Sequence, residues 1–246
     1  MNLNLKLKLM QLFSRTLKAT AGMCFAFALS MLSVQAEDDQ LAKVLKLSAE
    51  LESWDADFKQ IRTLKTLREP LVAEGHVWYQ APDTFLWRLG NPARTLALKA
   101  EPDMWVIYPR LKRAEKYNLE TEGPWKDALA LMEAGFPRSR ERLDASFEWS
   151  WAAPQDQDSS AEGSAVGEVS AILKMVPKSE NSKRWIESIT VEFDFNQGVL
   201  AASELKFTDG STMRNEFSNF RKNPEFDEDW FQSERWVLPG YRIARP

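Results

Sequence analysis

From Ala145 to Trp151 every second residue is apolar: Ala145, Phe147, Trp149 and Trp151 alternate with Ser146, Glu148 and Ser150. The same period returns where Trp185, Ile189, Val191, Phe193 and Phe195 oppose Ser188, Thr190, Glu192 and Asp194, and where Leu205 and Phe207 oppose Glu204 and Lys206. A period of two places alternate side chains on opposite faces of a strand, so each run makes one wet and one apolar face. The pattern predicts about eleven strands, over 54–66, 70–80, 84–89, 95–100, 104–109, 113–119, 143–151, 168–176, 185–195, 199–208 and 211–221. Asp209-Gly210 and Asn196-Gln197-Gly198 are hairpin turns on this reading. So many strands in succession curl. The expected fold is mainly β (α+β): an unclosed, strongly curved antiparallel half-barrel with its apolar side inward.

Two helices are predicted to cover that side. One spans about 39–52, with Leu41, Val44, Leu45 and Leu51 at helical spacing after three acids. The other runs from Pro124 to Gly135, with Trp125, Ala128, Leu129 and Met132 as its apolar stripe. Together they form a helical lid over a bowl. Ala152 to Gly167, rich in Ser, Asp, Gln and Gly, reads as a loop between two strands.

The first 36 residues read as a cleavable signal peptide. Lys6, Lys8, Arg15 and Lys18 precede an apolar run from Ala19 to Leu32, and Val34-Gln35-Ala36 is a small-x-small cleavage site. The run is shorter than the roughly 20 residues a membrane span needs. Met10 is an alternative start. Cys24 lacks a lipobox, with Ala21 and Met23 at the decisive places, so a lipid anchor is not expected, and cleavage leaves no cysteine for a disulfide. Residues 37–246 then form one domain. Cleavage removes four of the 32 basic residues and none of the 36 acids, leaving a net charge of −8. That charge disfavours nucleic acid and direct adsorption to anionic lipid, and it suits a soluble monomer.

Between Trp78 and Pro109 lies a run of rings: Trp78, Phe85, Trp87, Trp105 and Tyr108, punctuated by Pro82 and Pro92. Phe85 and Trp87 are two apart and share a strand face; Trp105 and Ile107 form a second such pair. This surface carries no nucleophile and no metal-ligand spacing. His76, the single histidine, has no serine elbow near it, so neither an enzyme nor a cofactor or metal is expected. The candidate lipid-binding residues are Trp78, Phe85, Trp87, Trp105, Ile107, Trp125, Leu129, Met132, Phe147, Trp149, Val191 and Phe193. Trp78, Phe85, Trp87 and Trp105 are also readable as plain core under the two helices.

The ordered set Phe58 and Gln60, Gly75 with Trp78, Pro82, Phe85 and Trp87, then Trp105, Tyr108 and Pro109 resembles the LolA family of periplasmic lipoprotein carriers. Leu173, Pro177, Lys178, the run from Ile189 to Phe193, Gly198, Asp209-Gly210, Phe217 and Phe231 extend the resemblance over nearly the whole mature chain. The resemblance implies an eleven-stranded unclosed barrel lidded by helices, with Phe85 and Trp87 at cavity-lining positions. It implies a periplasmic chaperone in a Gram-negative-type envelope. Such a carrier takes acylated lipoproteins from an inner-membrane exporter to an outer-membrane acceptor. Two positions depart from the family: Ala81 stands where an arginine usually latches the lid, and Glu101-Pro102-Asp103 replaces an Asp-Gly turn. A carrier of another lipid or lipid-linked intermediate, and a lipid-sensing regulator of the same fold, remain open beside the lipoprotein carrier.

Overall fold

Twelve strands join in one sheet in the computed structural model, which describes residues 39–100, 102–119, 137, 139–152 and 169–245. They are β1 (Ser53–Thr63), β2 (Leu71–Gln80), β3 (Thr84–Leu89), β4 (Thr95–Ala100), β5 (Asp103–Tyr108) and β6 (Arg113–Asn118). After these come β7 (Phe147–Ala152), β8 (Ala171–Pro177), β9 (Ile186–Asp194), β10 (Val199–Phe207), β11 (Thr212–Lys222) and β12 (Arg242–Ala244). The order across the sheet is β12-β6-β5-β4-β3-β2-β1-β11-β10-β9-β8-β7. Two antiparallel meanders, β1 to β6 and β7 to β11, therefore meet along the β1–β11 seam. The outermost strands β12 and β7 do not pair with each other, so the sheet stays open.

Residues 1–43 and 44–246 are two compact units. The described residues 39–43 of the first are helical, and in the second residues 44–50 are helical (α1), in line with the helix predicted over 39–52. Asn223, just past β11, ties the end of α1 to the sheet. Its Oδ1 accepts from the backbone N–H groups of Glu52 and Ser53 at 2.9 and 3.3 Å, and its Nδ2 donates to the Glu50 carbonyl at 3.2 Å. The predicted lid helix over 124–135, with Trp125, Leu129 and Met132, lies outside the described residues, as do the signal peptide and nearly all of the 152–167 loop.

Both hairpin turns form as predicted. Gly210 takes φ +79°, and the Asp209 carboxylate accepts from the Ser211 N–H and hydroxyl at 2.8 and 2.6 Å. Gly198 takes φ +63°, and Asp194 Oδ1 accepts from the N–H groups of Asn196 and Gln197 at 2.9 and 3.0 Å. Both are positions where only a residue without a Cβ turns freely.

Two expectations need correction. Residues 143–146 are not strand: they belong to helix α2 (Arg140–Ser146), whose N-cap Ser139 accepts from the Arg142 N–H at 3.2 Å. A serine cap with Glu141 in the first turn outweighs the weak alternation of Leu143 and Ala145. The twelfth strand, β12, was also unforeseen, because three residues carry no periodic signal. It pairs parallel with β6, entered through the Arg242 N–H donating to the Lys112 carbonyl at 2.8 Å.

The sheet is one-sided only in its second half. There Arg214 of β11 grips Glu192 of β9 with two hydrogen bonds at 2.6 and 2.9 Å and reaches Glu216 at 3.2 Å, on the polar face the alternation predicted. These bonds, led by that to Glu192, raise the guanidinium's already high pKa against the opposing effect of burial. In the middle of the first half, β3 to β5, apolar side chains stand on both faces. The alternation of β3 to β5 is accordingly blurred, as expected for strands covered on both sides.

Candidate lipid-binding face

Strand register sorts the sequence-predicted rings onto two faces. Val77 pairs with Trp87, Trp87 with Ala97, and Ala97 with Val106, so these share one face with Phe85, Lys99 and Met104. Trp78 pairs with Leu86, Leu86 with Leu98, and Leu98 with Trp105, on the other. The predicted pairs Phe85/Trp87 and Trp105/Ile107 thus point in opposite directions. The reason is the turn between β4 and β5: Ala100 pairs with Asp103, which puts Met104 rather than Trp105 opposite Lys99.

On the Trp87 face the rings close into a cluster across four strands. Phe58 of β1 meets Trp87 of β3 with ring centroids 4.2 Å apart, and Phe217 of β11 stands edge-on to both at 6.4 and 6.2 Å. Phe58 reaches over β2 because Gly75 lies beneath it. A Cβ at Gly75 would fall 2.1 Å from Phe58 Cζ and 2.4 Å from the Arg88 carbonyl oxygen. Next along the same face, Trp54 stacks on Tyr79 at 5.6 Å and on Phe220 at 5.1 Å. Phe217 and Phe220 share this face although three residues apart, because β11 bulges. Asp55 pairs with Arg221 but Asp57 with Ser218, and Asn219 takes φ +53°.

The second meander extends that face. Ser203 pairs with Val191, Val191 with Leu173 and Leu173 with Trp151; Ile189 pairs with Met175 and Met175 with Trp149. Phe147, Trp149, Val191 and Phe193 therefore belong with Phe85 and Trp87. Of the twelve candidate residues, these six share one face, Trp78, Trp105 and Ile107 lie on the other, and Trp125, Leu129 and Met132 are not among the described residues.

The face also holds a few polar groups. Gln60 Nε2 donates to Asn215 Oδ1 at 3.1 Å, one strand pair beyond Phe58 and Phe217. Lys99, 4% exposed, is paired with Asp83 at 2.6 Å. Tyr117 donates to Glu115 at 2.8 Å; burial, then this bond, push its pKa up to about 12, so it stays a protonated donor in neutral water.

The Trp78 face is covered by the chain's own C-terminal segment. Phe226, Trp230, Phe231, Trp236, Val237 and Tyr241 pack on Trp78, Leu86, Leu96, Leu98, Trp105, Ile107 and Ala114. Trp230 meets Trp78 at 5.4 Å and Trp236 at 5.5 Å, and Trp236 Nε1 donates to the Trp230 carbonyl at 2.8 Å. Arg88 sits on this face, as alternation predicts, with its guanidinium 5.0 Å from the Trp78 ring. His76 lies here too, its Nδ1 2.6 Å from Asp57 and its Nε2 3.3 Å from Asp55, which Arg221 holds at 2.9 and 2.6 Å. The Nε2 approach to Asp55 lacks hydrogen-bond geometry. So placed between two carboxylates, the imidazole braces β1, β2 and β11.

Sequence reasoning missed Phe58 and Phe217 as members of the site. Their signal was present as a period of two, in Trp54, Ala56, Phe58 and Gln60, and again in Met213, Asn215 and Phe217. Nothing in sequence alone pointed to the C-terminal segment as a cover, since its aromatics follow no strand period.

Comparison with known proteins bears on the whole arrangement. A family model described as "Outer membrane lipoprotein carrier protein LolA" matches residues 49–234. No curated protein matches the chain. Similar solved structures include an uncharacterized conserved protein from Thermus thermophilus (8% identity, 85% of this chain and 98% of that one, TM-score 0.49). Others are the LolA superfamily protein NE2245 from Nitrosomonas europaea (8% identity, 76% and 95%, TM-score 0.38) and the Mycobacterium tuberculosis lipoprotein LppX (7% identity, 76% and 96%, TM-score 0.40). With its open sheet and a family match that takes in every strand from β1 to β11, this chain belongs to the outer membrane lipoprotein carrier protein LolA family.

Proposed function

We propose that the chain is a periplasmic carrier that shelters the acyl chains of lipoproteins against the Trp87 face. It would take them from an inner-membrane exporter and release them to an outer-membrane acceptor. The observation that carries this reading is the wall of Phe58, Trp87 and Phe217 spanning four strands, extended by Trp149, Val191 and Phe193. Each methylene withdrawn from water contributes about 0.8 kcal/mol, so a chain of about sixteen carbons represents on the order of 10 kcal/mol before ordering costs. Rings and aliphatic groups hold such a chain without directional bonds. They therefore tolerate variation in its length and let it leave. Met104 adds a side chain that repacks easily.

Mature protein mixed with a triacylated lipoprotein should co-elute with it. Trp87→Glu and Phe85→Glu each place a carboxylate on the face and should abolish co-elution. Full loading of both variants would remove the Trp87 face from consideration.

The position of Ala81 supports a second reading, in which the same face carries a different lipid. Where relatives carry an arginine latch, this residue offers only its backbone N–H, donated to the Glu52 carbonyl at 2.7 Å. Mass spectrometry of lipids that copurify from the native cell separates the two. Acylated peptides favour the lipoprotein carrier, and free lipids or lipid-linked intermediates the alternative.

A further inference from the structure

One end of the sheet gathers exposed apolar and cationic side chains from three separate connections. The β1–β2 loop, the β10–β11 turn and the segment 178–185 between β8 and β9 emerge there together. They are in contact. Lys65 lies against Gly210, and Thr208 donates its N–H to the Trp185 carbonyl at 3.0 Å and its hydroxyl to the Arg184 carbonyl at 2.9 Å. At this end Leu67, Leu71, Val72 and Trp185 are 44, 49, 56 and 69% exposed.

Leu71 and Val72 pair with Arg62 and Ile61, beyond the last β2–β3 pair, Gly75 with Leu89. The ribbon therefore protrudes past β3 with apolar groups on both sides. Isolated exposed leucines need no explanation, but four large apolar groups at one end, including an indole, do.

The balance at this end is the reverse of the chain's: residues 62–70, 178–185 and 208–211 together hold six lysines and arginines against three acids, Glu69, Glu180 and Asp209. The whole sequence carries −4, yet Arg62, Arg68 and Arg184 are all exposed here and make no ion pair among the described residues. Protruding aliphatic groups, an indole and unpaired guanidinium groups form the chemistry of an interfacial anchor, in which apolar tips enter the acyl boundary and cations meet phosphate. We propose that this end of the sheet docks on the surface of an anionic phospholipid bilayer. By register Arg62 and Leu71 stand at the far end of the strand face that carries Phe58 and Trp87, but Trp87 itself is not part of this end, and the docking does not depend on what that face carries.

Flotation with vesicles tests this, using protein purified as the cell produces it and identical handling of each variant. Equimolar phosphatidylglycerol–phosphatidylethanolamine vesicles should carry the protein upward, phosphatidylcholine vesicles far less, and high salt should weaken the association. Arg62→Gln, Arg68→Gln and Arg184→Gln should each lower partitioning on the order of fivefold, from about 1 kcal/mol per basic residue near the surface. Leu67→Ser and Trp185→Ser should lower it at both salt levels, while Trp87→Glu should float like the parent. Thermal melts confirm folding of each variant. The proposal is overturned by failure to float with anionic vesicles, by equal flotation with both lipids, by indifference to the arginine changes, or by loss of flotation in Trp87→Glu.

Discussion

Placing a methyl group at Gly75 should damage the Trp87 face more than its size suggests. The added Cβ would meet Phe58 Cζ at 2.1 Å, Phe58 Cε1 at 2.6 Å and the Arg88 carbonyl oxygen at 2.4 Å. The ring can swing aside only by leaving Trp87, 4.2 Å away, and the carbonyl is backbone of β3 and cannot turn away alone. Overpacking of this kind costs about 1–3 kcal/mol, and an aromatic pair about 0.5–1.5 kcal/mol more. Gly75→Ala should therefore lose roughly 2–4 kcal/mol, which for a domain of this size is about 5–15 °C in melting temperature. Urea titration with an unchanged slope would give the same loss at 25 °C. Phe58→Ala alone should cost about 3–5 kcal/mol. In the double variant two of the three close contacts vanish, so the combined loss should fall at least 1 kcal/mol short of the sum. A Gly75→Ala protein within 0.5 kcal/mol of the parent, or strict additivity with Phe58→Ala, would falsify the claim that Phe58 lies across Gly75.

Two further expectations concern the opposite face. Trp230→Ala should strip the cover from Trp78 and cost about 2–4 kcal/mol, less than a fully buried tryptophan because Trp230 is only partly buried. Lipoprotein loading by the still-folded variant should be unchanged; a loading defect as deep as that of Trp87→Glu would merge the two faces into one site. The second expectation is a pH dependence. Burial pulls the Asp57 carboxyl upward, but the hydrogen bond from Asn219 at 2.8 Å and the neighbouring His76 hold it below its usual value. A lowered native pKa stabilises the fold above the unfolded value of about 3.9, and that stability is lost as pH falls through the native one. Asn219→Gly keeps the left-handed backbone and removes the bond. It should cost about 1 kcal/mol or less at neutral pH, since Asp57 is half exposed, and the difference from the parent should shrink below about pH 4. Denaturant titrations at pH 7 and pH 3.5 check this, and a pH-independent difference would speak against it.

The sequence determined β1 to β11 by itself, save the start of β7, because their signals are local. Alternation at Phe147 to Trp151 and Ile189 to Phe193, glycines at 198 and 210 with Asp side chains beside them, and Pro109 after β5 each act within a few residues. That was enough for the open β architecture and for Phe85 and Trp87 as neighbours on one face. Which rings join across strands was decided only in three dimensions, because it depends on register. The Ala100–Asp103 pairing turns Trp105 away from Trp87, and a bulge at Asn219 brings Phe217 and Phe220 together. The cover over Trp78 was likewise invisible: Phe226 to Tyr241 meets the sheet more than a hundred residues from some of its partners, and no local pattern encodes so distant a contact. Charge shows the same division. Summed along the chain it is negative, while folding collects Arg62, Arg68 and Arg184 from two distant segments at one end, and an electric field depends on position and not on the sum.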